Sequence, residues 1–195
     1  ATTWSADDFE GITVNTYRGK VIRPQIGQSD ISGKIKVSVS KAGYSESKEF
    51  DITVSAISQA EADVEQQRMN AVKNALISNV IKGNNAAPYL ITENIKRVYR
   101  GFADENNSVT WATSNTGEKG IEISWESDNL EIFTQFASFN KPSVATPVTL
   151  TATLKSIRLS SVVAEEQVKF DLIAVPDTSK IGNLLEDLAG KAKYN

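Results

Sequence analysis

The feature that most constrains this chain is a long internal repeat. A tryptophan followed by an aspartate-containing turn stands at residues 3–8 and again at residues 124–129. Each block leads to an alternating strand and then to a closing strand: 35–39 with 50–54, and 148–152 with 170–174. The copies lie about 120 residues apart, which is too long for a solenoid and suits one domain of an array. The chain is therefore expected to begin inside a repeat.

The composition excludes several functional classes. The chain has no cysteine, which excludes disulfides and thiolate chemistry, and no histidine, which removes the commonest general base and transition-metal ligand. A net charge of −3 with scattered Lys and Arg gives no basic surface for nucleic acid. No apolar run is long enough to predict a membrane span. We therefore expect a protein that is not an enzyme.

Hydrophobic periodicity divides the chain into strands and a helix. Alternation over 35–39 and 50–54, with a turn over 40–45, predicts an antiparallel sandwich. Over 58–82 the period becomes helical, with Ser58 and Glu61 as a capping box and Gly83 ending the helix. The predicted helix face contains Val64, Arg68, Ala71, Val72, Ala75, Leu76, Asn79 and Val80.

The rest of the chain repeats this order. Strands are predicted over 89–91, 95–99, 109–113 and 121–125, with a loop over 101–108 and a second helix after Pro176. The predicted domains are 1–57, the C-terminal part of one unit; 58–176, a complete helix-plus-sandwich unit; and 177–195, the start of the next.

These segments resemble bacterial immunoglobulin-like domains, most closely the truncated subgroup in which a short helix precedes the sandwich. The match is carried by Trp4, 19–24 and 50–54 in the first copy, and by Trp125, 141–142, 148–153 and 170–174 in the second. The fold class implied is mainly β: tandem immunoglobulin-like β-sandwiches with a connecting α-helix. The family occurs in S-layer proteins, adhesins and spacers of secreted carbohydrate-active enzymes, and it supplies no catalytic residues.

The tryptophans are either core residues or sugar-stacking platforms. Recurrence of Trp4 and Trp125 at equivalent places in the repeat favours the core of a sandwich for both. Trp111 has no counterpart in the first copy, so it is the better candidate for an exposed aromatic, although a core position remains the first expectation for it too.

Acidic loops suggest calcium as the one cofactor to consider. The candidate ligands are Asp7, Asp8 and Asp128, and residues 104–107 form another oxygen-rich loop. Calcium takes six to eight oxygen ligands, and no closed ligand set is visible in the sequence. Ordinary turn chemistry also explains Asp and Asn at such positions.

Two functions from different classes follow from these features. The first is a non-catalytic structural module of a bacterial cell-surface, S-layer-like array, extracellular and in contact with itself or with neighbouring repeats. The second is a carbohydrate- or host-binding module of an adhesin or secreted glycosidase, with cell-wall or host glycans as partners.

Overall fold

The structure, a computed structural model, describes residues 1–6, 9–14, 19–85, 87, 89–96, 98–134 and 138–176. The chain divides into two compact units, Ala1–Val64 (unit 1) and Glu65–Asn195 (unit 2). Strands dominate the described residues of both units, so the prediction of a mainly β protein is confirmed. The immunoglobulin-like sandwich stays a prediction.

Unit 1 is built on a three-stranded antiparallel sheet. Its described strands are β1 (Thr2–Ser5), β2 (Ile12–Val14), β3 (Gly19–Val21), β4 (Ile31–Lys41) and β5 (Tyr44–Val54). The sheet has the order β1-β4-β5, and β2 pairs separately with β3. The predicted turn between β4 and β5 is confirmed: Ala42 and Gly43 have φ of 51° and 86°, as a tight two-residue hairpin requires.

The core of unit 1 lies at one end of this sheet. Phe9, Ile12 and Val54 are buried there, and the partly buried side chains that pack on them are Ala6, Val14, Ile31, Ile35 and Ile52. Gly33 lets the Phe9 ring approach the sheet, since a Cβ at this position would lie 2.5 Å from the ring. The core therefore covers only the part of the sheet around Ile31 and Val54.

The predicted helix is present as α1 (Gln59–Ala75), followed by a π-helical segment (Leu76–Ile81). Its capping box is confirmed, because the Ser58 N–H donates to Glu61 Oε2 at 3.0 Å and the Glu61 N–H donates to Ser58 Oγ at 3.2 Å. Gly83, with φ of +45°, follows the last turn as expected.

The predicted buried face of the helix is partly wrong. Val72, Leu76 and Val80 are fully buried, but Val64 is exposed. The buried stripe runs through Ala62, Glu65, Met69, Val72, Leu76 and Val80. The predicted face omitted Ala62, Glu65 and Met69. The burial of Glu65 depends on a distant partner, because its Oε1 accepts a 2.7 Å hydrogen bond from the buried Ser156 hydroxyl.

The described residues of unit 2 form a six-stranded sheet. Its strands are β6 (Leu90–Ile91), β7 (Arg100–Ala103), β8 (Val109–Ala112), β9 (Ile121–Ser127), β10 (Thr146–Ser156) and β11 (Glu166–Ala174). They have the order β6-β11-β10-β9-β7-β8, and only β6 runs parallel to its neighbour. The long central strand β10 alternates buried and less buried residues, as a strand with one covered face must.

Within unit 2 the helix packs on this sheet. Val72 sits against Gly101, where an added Cβ would lie 2.6 Å from Val72 Cγ1. Gln66 Nε2 and Lys73 Nζ donate to the two carboxylate oxygens of Glu166 at 2.6 and 2.9 Å. The helix therefore contacts the sheet through apolar side chains, and polar side chains form hydrogen bonds to it.

The predicted strand over 95–99 is wrong at the described positions. The nearest strand is β7, and its residues 101–103 lie in the stretch predicted as loop, so that prediction is also wrong there. Ile95 and Val98 are nevertheless buried, and the Tyr99 N–H donates to the Ala112 carbonyl at 2.9 Å. Apolar alternation here marked burial rather than a strand. The predicted helix after Pro176 lies outside the described residues.

The repeat is visible in the strand pairing. β1-β4-β5 and β9-β10-β11 share corresponding cross-strand pairs: Trp4 with Val37 and Trp125 with Ala152; Ile35 with Phe50 and Leu150 with Phe170; Ile31 with Val54 and Thr146 with Ala174. The alignment of 35–39 with 148–152 is corrected by two residues, since Ile35 corresponds to Leu150. A shift of two keeps every side chain on its face, so alternation cannot detect it.

Candidate functional site

The carboxylates of the described acidic loops accept hydrogen bonds from backbone N–H groups. Asp7 and Asp8 lie outside the described residues. Asp128 Oδ1 accepts a hydrogen bond from the Thr149 N–H at 2.8 Å, and Asp104 Oδ1 accepts from two backbone N–H groups of its own loop at 2.8 Å. In the described part of the chain no group of three or more Asp or Glu residues is placed to hold a metal ion. Calcium stays a prediction.

The two repeated tryptophans differ in burial. Trp125 is half-buried: its Nε1 donates to the Val98 carbonyl at 3.0 Å, and its ring centroid lies 6.2 Å from that of Phe170. Trp4 is 45% exposed, so the prediction of a buried core tryptophan is wrong for this residue. Trp111 is half-buried. Trp4 is thus the most exposed of the three tryptophans.

Trp4 belongs to an apolar surface that we call the open face, formed by Trp4, Val37, Val39 and Phe50. Directly opposite residues of an antiparallel pair share a face of the sheet, and the strand register places these four on the same side as Ile35. Val39 and Phe50 are 48% and 41% exposed. The described part of unit 1 therefore leaves this end of its sheet uncovered.

A groove of about 730 Å³ adjoins the open face. Its lining combines the Trp4 indole and the Phe9 ring with the polar groups of Ser5, Glu10 and Thr13. An exposed aromatic side chain beside polar groups can contribute to a ligand site. The groove and the open face together form the candidate functional site.

The β5 edge brings charges to this site. Among the described residues no strand pairs with the outer side of β5. Glu46 and Lys48 lie on the open-face side, and Lys48 Nζ is 5.3 Å from the centroid of the Phe50 ring. On the opposite side Lys34 Nζ donates to Glu49 Oε2 at 3.1 Å, which raises the pKa of Lys34.

A separate polar cluster fixes the start of the helix within unit 1. The Arg23 guanidinium donates to both carboxylate oxygens of Glu61 at 2.9 Å, and to the carbonyls of Ser55 and Ala56 at 2.9 and 2.7 Å. The hydrogen bond from Arg23 is the main reason why the pKa of Glu61 falls to about 2, and the Ser58 N–H adds to the effect. We assign this cluster a structural role, because its groups bond to one another.

A smaller groove of about 230 Å³ on unit 2 is lined by Arg68, Lys119, Arg158 and Glu65. The Glu65 carboxylate accepts bonds from the Ser156 hydroxyl at 2.7 Å and from Arg68 Nη1 at 3.3 Å. The one acid of this groove is thus engaged in the contact between helix and sheet, which gives it a structural role.

Comparison of the sequence with protein-family models and with curated proteins finds no match in either. No helix among the described residues is long and apolar enough to cross a bilayer. The geometry of the open face is therefore the main support for a function.

The open face escaped sequence reasoning because Trp4 recurs at the position of the half-buried Trp125. One signal was available. Lys48 stands where the second copy has Val168, so a charge replaces an apolar residue on the inner side of a strand. Such a replacement indicates a surface that water or a polar partner reaches.

Proposed function

We propose that this chain is a non-catalytic structural module of a bacterial cell-surface array protein, S-layer-like in role, which works through contacts between proteins. On this proposal its units are tandem immunoglobulin-like sandwiches connected by α1, and it works outside the cell. The open face is the observation that supports the proposal most, because contiguous exposed apolar side chains on a rigid sheet are typical of interaction surfaces.

An enzyme is the weaker alternative on chemical grounds. The chain lacks His and Cys, so acid–base and nucleophilic steps would depend on carboxylates, hydroxyls and lysines. Three described carboxylates, those of Glu61, Glu65 and Glu166, are engaged by neighbouring side chains of the same unit.

Self-association of the whole chain tests the proposal. We expect a concentration-dependent increase in mass by sedimentation equilibrium, weakened by Trp4→Thr and by Phe50→Thr. Ile173→Thr is the matched control, because Ile173 is also 41% exposed and also lies on a strand. A mass that stays monomeric at all concentrations, or equal effects of all three substitutions, would contradict the proposal.

A carbohydrate-binding module is the second candidate, favoured by the exposure of Trp4 beside the groove of unit 1. Titration with cell-wall and host oligosaccharides, followed by tryptophan fluorescence, distinguishes the two functions. Saturable quenching that Trp4→Phe weakens and Trp4→Ala abolishes would favour glycan binding over assembly.

Calcium at Asp7 and Asp8 is the one cofactor included in the proposal. A bound ion should raise the melting temperature by an amount that grows with calcium concentration, and Asp7→Asn with Asp8→Asn should remove the rise. An identical melting curve in calcium and in chelator would contradict calcium binding by Asp7 and Asp8.

A further inference from the structure

β5 presents a long free edge at the border of the open face. It is eleven residues long, and Tyr44 at its start is 84% exposed. No described strand pairs with its outer side. An edge of this length offers a row of N–H and C=O groups to another strand.

The hydrogen bonds of the sheet show which residues of β5 face that edge. The Ser40 N–H donates to the Ala1 carbonyl at 2.8 Å, so the even-numbered residues of β4 bond on the β1 side. The odd-numbered residues of β4 therefore bond to β5, where their partners are even-numbered. The odd-numbered residues of β5, including Ser45, Ser47 and Glu49, turn their backbone groups to the free edge.

Because only the odd-numbered residues turn their backbone groups to the free edge, few registers are possible for pairing with β5 of a second copy. In an antiparallel pair, opposite residues exchange both hydrogen bonds only where both turn their backbone groups to the shared edge. Odd-numbered residues must therefore stand opposite odd-numbered ones. Even-numbered residues, whose side chains lie on the open-face side, then form the closer non-hydrogen-bonded pairs.

The sequence of β5 is self-complementary in one of these registers, the one centred on Ser47. It places Glu46 of each copy opposite Lys48 of the other, and Tyr44 of each copy opposite Phe50 of the other. Moving the centre by one residue would place Lys48 opposite Lys48, or Glu46 opposite Glu46. Opposite charges across a strand pair stabilise it, and like charges destabilise it.

We propose that β5 pairs antiparallel with β5 of a second copy of this chain, centred on Ser47. The inference rests on the proposed function and deepens it, because it names the protein partner. The two three-stranded sheets become one continuous sheet, and Tyr44 of the second copy covers the exposed Phe50 ring.

A contact in unit 2 supports the proposed pairing of Glu46 with a lysine. Its counterpart in the strand register is Glu166, whose carboxylate already accepts a hydrogen bond from Lys73 Nζ at 2.9 Å. A lone lysine on an edge strand normally prevents pairing, which is the alternative explanation of Lys48. Glu46 lies two residues away on the same face. In a pair of identical strands it stands opposite Lys48 of the other copy, so the lysine charge is compensated.

Charge exchange tests the register. Glu46→Lys and Lys48→Glu each place like charges opposite one another at both symmetric positions, so each should weaken self-association by about tenfold. Both substitutions in one chain restore the match and should restore the dissociation constant. An equimolar mixture of the two single variants should form heterodimers for the same reason. Sedimentation velocity gives the dissociation constants, and melting curves report folding.

The outcomes separate this inference from the proposed function. Weakened single variants with recovery in the double variant and in the mixture support the register. Equal self-association of the wild type and every variant would overturn β5 pairing and leave assembly through other contacts in place. A wild type that stays monomeric at every concentration would overturn both.

A cysteine probe provides a second measurement. The chain has no native cysteine, so Ser47→Cys introduces a single thiol that faces its own copy across the symmetry axis. The distance between opposite Cα atoms in such a pair, about 5.5 Å, suits a disulfide. Ser45→Cys is the matched control, because it faces Glu49. Faster disulfide-linked dimer formation by Ser47→Cys supports the register, and equal rates would contradict it.

Discussion

Unit 1 and unit 2 pair three strands in corresponding registers but bury them to different extents. Phe50 stands opposite Ile35, and Phe170 stands opposite Leu150 in the same way. Phe170 is only 7% exposed, whereas Phe50 is 41% exposed. The backbone pairing is shared, so burial depends on what covers the sheet. In unit 2 the helix packs on the sheet at Gly101 and Glu166, and the Trp125 ring lies beside Phe170. In the described part of unit 1 no element covers the open face.

The side chains at matched positions reflect the same difference. Val168 of unit 2 corresponds to Lys48, and the engaged carboxylate of Glu166 corresponds to Glu46. Unit 1 therefore carries charges where unit 2 has an apolar residue or a completed ion pair. This pattern suits a surface that exchanges water for a polar and apolar partner.

Truncation of a matched pair of residues should give the largest contrast. Leu154 of β10 and Val39 of β4 occupy equivalent register positions, and Leu154 is fully buried while Val39 is exposed. We predict that Leu154→Ala lowers the free energy of unfolding by about 3 kcal/mol, because it leaves a cavity. Val39→Ala should cost about 0.5 kcal/mol or less in the monomer. Chemical denaturation measures both, and similar losses would contradict the contrast in cover.

Loss of one buried hydroxyl should have the next largest effect. Ser156→Ala leaves the buried Glu65 carboxylate without its 2.7 Å donor, so we expect a loss of about 1–3 kcal/mol in the free energy of unfolding. Ser45→Ala, on the exposed edge of unit 1, is the control and should change little. A neutral Ser156→Ala would mean that Glu65 does not depend on this contact.

Acid should weaken the Arg23–Glu61 cluster of unit 1 by a smaller amount. The pKa of Glu61 lies at about 2 in the folded chain, below its ordinary 4.5, so the ionised form stabilises the fold above pH 4.5. That contribution is lost as the pH falls from 4.5 towards 2. We expect Glu61→Gln to flatten the dependence of melting temperature on pH in this window, whereas Glu105→Gln, in an exposed loop, should not. If Glu61→Gln left the dependence of melting temperature on pH unchanged, the Arg23–Glu61 cluster would not contribute to the stability of unit 1.

Local chemistry explains which parts of the fold could be predicted from the sequence. The capping box at Ser58 and the Ala42-Gly43 turn depend on residues close together in the chain, and both predictions were confirmed. The burial of Glu65 depends on a distant partner, Ser156. Trp4 is exposed because no element among the described residues covers it. Hydrophobic periodicity reflects the types of side chain along the sequence but not their distant partners, so it predicted neither the burial of Glu65 nor the exposure of Trp4.

The candidate site illustrates the same limit. The acidic and aromatic residues that suggested sites were recognised by type, whereas the open face and the β5 edge exist only through strand pairing. The hydrogen bond from Ser40 to Ala1 shows which residues of β4 bond to β5. With that known, the sequence itself shows that Tyr44, Glu46, Lys48 and Phe50 are self-complementary.

Amide hydrogen exchange of the whole chain at low and high protein concentration tests the central claim most directly. If a second copy covers the free edge of unit 1, the amides of Ser45, Ser47 and Glu49 gain protection as concentration rises. The amides of Glu46 and Lys48, which already bond to β4, change little. Equal exchange of the odd-numbered amides at both concentrations would contradict the pairing of β5 with its own copy.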